Sequence, residues 1–190
     1  KMKYLGIIAD ENKRLESQVA DVLQMAQLDK NELKLNLVTV DLHPIIQQAV
    51  DKISIQMERK SGNLKLALNA SQSILKGDEA YLLGVLLNLL DNALKYSKDA
   101  PNVIIRTQNI RGQLICSIKD HGMGMTKEAQ RSIFQKFYRV ASGNVHNIKG
   151  FGLGLAYVKE IITLHHGSIA VESELNKETN FIIKFPLDYE

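Results

Sequence analysis

The sequence predicts a two-layer α+β sandwich preceded by a long amphipathic helix. Three observations carry that class. Helical and strand periodicities are mixed along the 190 residues, with neighbouring strands joined by hairpins rather than by crossover helices. A fraction of 45 % hydrophobic against 24 % charged residues can bury a full core. The length, at ~150 residues per domain, suits one large domain with an appended element. A doubly wound parallel sheet fits this pattern less well, and the helices are expected to cover one face of the sheet.

The appended element comes first. Leu5, Ile8, Leu15, Val19, Val22 and Ala26 recur at alternating steps of three and four, with Asn12 as the polar interruption, which is a heptad seam. Leu23, Met25 and Leu28 widen the stripe, as in a helix of a multi-helix bundle, although periodicity alone leaves packing on its own domain equally open. A boundary is placed between Asp29 and Leu37, dividing residues 1–36 from 37–190.

Leu37 to Leu42 alternates like a strand, and Pro44 opens a helix through Ile45, Ile46, Ala49, Val50, Ile53 and Met57 that ends near Ser61-Gly62. Leu64, Leu66 and Leu68 mark a short strand. Asp78 caps a long helix that runs to about Ser97. Strands at Val103 to Ile110 and Leu114 to Ile118 meet at an Arg111-Gly112 turn as a hairpin. A short helix from about Lys127 follows, then an irregular stretch from Ala141 to Lys149, a helix from Gly152 to His165, and strands near Ser168 to Ser173 and Phe181 to Phe185.

Composition narrows the functional classes. Lys and Arg number 24 against 21 Asp and Glu, a net charge of +3 with both signs mixed, so nucleic-acid binding is not demanded. The single cysteine, Cys116, lies in the apolar run LICSI, reads as a small buried hydrophobe and fits a reducing, cytoplasmic setting. The apolar stretch from Tyr81 to Leu90 is broken by Gly84 and Asn88 and is shorter than the ~20 residues a membrane span needs, so no membrane contact is expected. The opening Lys1-Met2-Lys3 falls inside an amphipathic pattern without a cap, as in a piece of a longer protein.

Four motifs could carry chemistry. The long helix places Asn88, Asn92 and Lys95 on one face with Tyr96 beside them, while Leu83, Leu86, Leu90 and Leu94 face the core. Stacked asparagines are mediocre helix formers; their amide oxygens suit Mg²⁺ and the lysine suits phosphate, the plain alternative being a solvated polar face. Asp120-His121-Gly122-Met123-Gly124-Met125 follows a strand. There a carboxylate can accept from an exocyclic amine and glycines let backbone approach a flat ligand; alone, the motif is an ordinary turn. Ile133-Phe134-Gln135-Lys136-Phe137-Tyr138-Arg139 offers two aromatic anchors and an arginine ahead of a Gly/Asn-rich stretch, as in a lid. Gly150-Phe151-Gly152-Leu153-Gly154-Leu155 opens a helix, where free N–H groups and the helix dipole attract phosphate, in a spacing that is neither the Rossmann nor the Walker pattern.

In this order and spacing the motifs closely resemble the N, G1, F and G2 boxes of sensor histidine kinases. Residues from about Leu37 onward resemble the catalytic ATP-binding domain of the GHKL superfamily, the Bergerat fold, and residues 1 to about 29 resemble the second helix of the dimerisation and phosphoacceptor hairpin. The resemblance implies Mg²⁺ at Asn92 with Asn88 nearby, phosphate contacts from Lys95 and Tyr96, and the adenine amine on Asp120. It implies Arg139 at the terminal phosphates, Gly122 and Gly124 along the base pocket, and backbone N–H groups of Gly152, Gly154 and Leu155 on the phosphates. Met125, Gly150, Leu153 and Thr179 complete the implied ATP-binding set. The family's last box is represented by Lys177-Glu178-Thr179-Asn180-Phe181, with Glu178 where glycine is common.

The implied partners are ATP or ADP, a response-regulator receiver domain, and a second copy through the helical arm. The implied reaction moves the ATP γ-phosphate to a histidine on an upstream helix. None of His43, His121, His146, His165 and His166 is followed directly by an acidic residue and, four positions later, by proline, so none is the expected acceptor. Hydrolytic relatives carry a glutamate where Asn88 stands, and an amide is no general base. A gyrase-, mismatch-repair- or chaperone-type ATPase and a degenerate nucleotide-binding dimerisation module are the alternatives; the heptad arm and Asn88 speak against the first, the intact motifs against the second.

Overall fold

In the computed structural model, which describes residues 33–97, 100–139 and 151–187 together with the helical Asn12 and Val19, strand β1 is Val38–Asp41. It stops at Asp41 because that carboxylate accepts the backbone N–H of His43 at 3.0 Å and caps helix α1, Leu42–Arg59. The strand pattern running to Leu42 and the helix start at Pro44 are both corrected by this cap. Pro44 falls in the first turn, where its missing N–H leaves nothing unpaired. Leu42, Ile45, Ile46, Ala49, Ile53 and Met57 form the buried face of α1.

Strand β2, Asn63–Leu68, is followed by β3, Ile74–Gly77. The short β3 is not legible in the sequence: its four residues are ordered by antiparallel pairing with the distant β1, Val38 standing opposite Gly77. Asp78 then caps helix α2, Glu79–Lys95, by accepting the Ala80 N–H at 3.2 Å. Its buried face is Leu82, Val85, Leu86, Leu89, Leu90, Ala93 and Leu94; Leu83, expected there, is only half-buried.

Strands β4, Asn102–Ile110, and β5, Gln113–Asp120, form the expected hairpin, with positive φ at Arg111 (50°) and Gly112 (73°) as a type I′ turn requires. Helix α3, Lys127–Ser132, is capped by Thr126. Helix α4 is Gly154–Leu164, two residues shorter at its start than the pattern suggests, and strands β6, Ser168–Glu174, and β7, Glu178–Pro186, close the chain.

Five strands form one sheet in the order β2-β4-β5-β7-β6, and β1 and β3 form a separate ribbon. The pair β2 with β4 is parallel, a departure from hairpin connections throughout; β3 and α2 make the crossover between them. Val103, Ile105, Leu114, Cys116, Ile118, Phe181, Ile183 and Phe185 lie on the buried face and share one core with α1, α2 and α4. Lys65, Arg106, Glu172 and Lys184 are exposed on the other face, so the molecule has the two layers expected. Burial pushes the Cys116 thiol up to about 12, which leaves it a packing residue.

His165 ties the two site-bearing helices together. Fully buried, it donates from Nδ1 to the Ile161 carbonyl at 2.8 Å and accepts the Asp78 N–H at Nε2, 3.0 Å away. The end of α4 is thereby fixed to the start of α2.

Candidate functional site

Asn88 and Asn92 are half-buried one turn apart on α2, with the Asn92 amide donating to Asn88 Oδ1 at 3.5 Å. Asn88 lies against the first residue of α4: a Cβ on Gly154 would come within 2.8 Å of both its Oδ1 and its Nδ2. Helix α4 begins without a side-chain cap, so the first-turn N–H groups open beside the asparagine face. Leu153 is buried, and Leu155 packs on the core.

The preceding glycine joins the aromatic turn. Gly152 has φ 74°, its carbonyl accepts the Phe137 N–H at 3.0 Å, and a Cβ there would stand 2.6 Å from the Tyr138 carbonyl oxygen. Ile133 is buried and Phe134 packs edge-on against Phe181, ring centroids 6.4 Å apart. Phe137, expected as a second anchor, is instead 69 % exposed with φ 64°. Arg139 is exposed at the end of this turn. Gly150, His146 and the rest of the Gly/Asn-rich stretch lie outside the described residues.

Asp120 lies at the end of β5 and is only 5 % exposed. Burial pushes its carboxyl up to about 6; the Gly122 N–H and His121 pull it down, and Glu178 pushes it up. Thr179, also buried, is its cross-strand neighbour on β7. The loop after Asp120 is wedged between two backbones. Met123 N–H donates to the Tyr96 carbonyl at 2.9 Å, and a Cβ on Gly122 would meet that same carbonyl oxygen at 2.6 Å. Gly124 has φ 60°, and a Cβ there would overlap the Glu174 carbonyl oxygen at 1.9 Å.

Lys95 forms an i, i+4 ion pair with Asp91, and Tyr96 is 40 % exposed. Glu178 pairs with Lys119 at 2.7 Å, and His121 Nε2 lies 3.9 Å from the same carboxylate. His43 Nε2 contacts Thr107 Oγ1 at 2.8 Å and His165 serves packing, so both have structural roles.

The structure thus brings the asparagine face to the glycine start of α4, that start to the aromatic turn, and Asp120 to Thr179. Sequence patterns missed Ser173, Gln130 and the Tyr96 carbonyl. Ser173 Oγ accepts the Met125 N–H at 2.9 Å, and Gln130 Nε2 donates to the carbonyls of Met125 and Ser173 at 3.0 and 2.9 Å. A serine in an alternating strand and a glutamine on a short helix carry no local signal of such a role.

Mg²⁺ demands few protein ligands and keeps water and phosphate in most of its octahedron, so two amide oxygens one turn apart suit it. No group of three His, Cys, Asp or Glu side chains placed for a metal occurs among the described residues, and no described helix is long and apolar enough to cross a membrane.

Comparison with known proteins gives a consistent outcome. The family model described as histidine kinase-, DNA gyrase B-, and HSP90-like ATPase matches residues 77–189. The sensor protein RprX of Bacteroides fragilis strain YCH46 is 44 % identical over 184 residues, which is 96 % of this chain and 36 % of that protein. The chain therefore spans about a third of the curated relatives it matches. Full-length ShkA in complex with AMPPNP superimposes with a TM-score of 0.83 at 27 % identity, over 97 % of this chain and 38 % of that one. A nucleotide-free catalytic domain of the histidine kinase ThkA shares the fold, with a TM-score of 0.70 at 21 % identity over 80 % of this chain and 98 % of that domain.

Proposed function

Because this chain belongs to the histidine kinase-, DNA gyrase B- and HSP90-like ATPase family, we propose that it is the ATP-binding catalytic part of a two-component sensor histidine kinase. The observation that carries this reading is the buried Asp120 carboxylate beside the tightly packed glycine loop of Gly122 and Gly124. At neutral pH it is an acceptor only, which suits the exocyclic amine of adenine and repels the carbonyl guanine presents there. The uncapped start of α4, with the N–H groups of Gly154 and Leu155, takes the phosphates, and Asn92 with Asn88 holds Mg²⁺. Bound there, Mg²⁺ neutralises phosphate charge. Lys95, Tyr96 and Arg139 add contacts at the phosphate end, while Gly122, Gly124 and Met125 line the base and Gly150, Gly152 and Leu153 shape the phosphate loop.

The transfer is to a histidine on a helix upstream of Lys1, for relay to a receiver-domain aspartate, and residues 1–36 supply the second helix of the dimerising hairpin and the linker to a catalytic domain of residues 37–190. Asn88 stands where a general base would activate water, so hydrolysis is slow and positioning dominates catalysis. The test uses a longer chain that carries the upstream histidine helix, incubated with γ-labelled ATP. Acid-labile phosphate on that histidine, absent in Asn92→Ala and absent from residues 1–190 alone, is expected. Rapid ATP turnover by residues 1–190, or acid-labile labelling of them, would contradict the reading.

A further inference from the structure

The hydroxyl of Ser173 has three polar neighbours, and their chemistry assigns every hydrogen. Its Oγ lies 2.9 Å from the Met125 N–H nitrogen, 2.6 Å from the Glu178 carbonyl oxygen and 3.2 Å from Thr179 Oγ1. A hydroxyl has one hydrogen and two lone pairs. The Glu178 carbonyl can only accept, so it takes the Ser173 hydrogen. The Met125 N–H can only donate, so it takes one lone pair. The contact that remains must be the Thr179 hydroxyl donating to the other lone pair. Thr179 then has no hydrogen left to offer, and it stands directly opposite Asp120 on the buried face of the sheet.

We propose that Ser173 is a specificity-determining positioning residue that holds the Thr179 hydroxyl as an acceptor on the strand opposite Asp120, so that the site takes a base edge bearing an amino group. This rests on the adenine-nucleotide reading of the same site. Two acceptors side by side match the two hydrogens of an exocyclic amine and cannot donate to a carbonyl. Gln130 keeps the arrangement in register: its amide bonds the carbonyls of Met125 and Ser173, so the loop after Asp120 and strand β6 move as one unit. Without the Ser173 oxygen, the Thr179 hydrogen would be released to turn toward the base and meet a carbonyl there.

The experiment titrates ATP and GTP separately into residues 1–190 and into Ser173→Ala, Ser173→Thr and Thr179→Val, with folding followed by circular dichroism. In Ser173→Ala the ATP-over-GTP preference is expected to narrow about tenfold, the worth of one hydrogen bond, while Ser173→Thr restores it by keeping the hydroxyl. A ratio unchanged in Ser173→Ala, with both nucleotides weakened alike, would mean a merely structural role and overturn the proposal. Should Ser173→Ala fail to fold, Thr179→Val decides: a narrowed ratio with weaker ATP binding supports the assignment, and undiminished ATP affinity and preference overturn it. If the unaltered chain binds neither nucleotide, it is the adenine reading that fails.

Discussion

Asp120 carries a conflict between stability and chemistry. Its carboxyl titrates at about 6 against 3.8 when unfolded, so its ionised form costs the native state roughly 3 kcal/mol at neutral pH. Asp120→Asn removes that charge and keeps an oxygen for the Gly122 N–H. It is expected to raise the melting temperature, by up to several degrees for a chain of this size, while abolishing adenine selectivity. Differential scanning calorimetry checks the first and nucleotide titration the second. The pH dependence has a definite sign. As pH falls through about 6 the carboxyl takes up a proton and becomes a donor, so adenine affinity is expected to fall between pH 7 and 5, a titration that Asp120→Asn would lack.

Between elements, two glycines separate positioning from folding. At Gly154 an added methyl meets only the end of the Asn88 side chain, which can swing aside, and alanine favours the helix. Gly154→Ala is therefore expected to lower nucleotide affinity at least tenfold with a stability loss under about 1 kcal/mol, as measured by titration and thermal melting. At Gly124 the methyl would sit 1.9 Å from a backbone oxygen at φ 60°, with nothing free to yield. Gly124→Ala is expected to cost more than about 2 kcal/mol and lower the melting temperature accordingly. Most elements were legible because their signals are local: Asp78 ahead of α2, Arg111-Gly112 between β4 and β5, the alternation of Leu64, Leu66 and Leu68. The failures were non-local. Strand β3 exists only through its partner β1, the Asp41 cap outweighed the proline at 44, and the exposure of Phe137 follows from a bond to Gly152 that no spacing reveals.

At the scale of the whole molecule, the order of motifs along the chain was readable, but not how the fold would join them. Asn88 to Gly154, Gly152 to Phe137 and Gly124 to Glu174 are contacts between distant segments, created by the crossover from β2 to β4 and by the return of β7 beside β5. His165 sets the spacing of α2 and α4, and burial lowers its titration below the usual histidine value, with the Asp78 carboxylate opposing and His166 assisting. The unfolded chain takes up that proton first, so this group withdraws stability as pH falls from 6.5 through its depressed value, whereas Asp120 restores stability over the range from about 6 to 3.8. Asp120→Asn, which keeps only the histidine effect, is expected to lose more melting temperature than the unaltered chain between pH 7.5 and 5.5; equal losses would refute the opposition. The most direct measurement of the central claim is a calorimetric titration of residues 1–190 with ATP and with GTP, with and without Mg²⁺. Binding of ATP in clear preference to GTP, strengthened by Mg²⁺ and losing that Mg²⁺ dependence in Asn92→Ala, is the expected result. A folded chain that binds no ATP, or binds ATP and GTP alike, would contradict it.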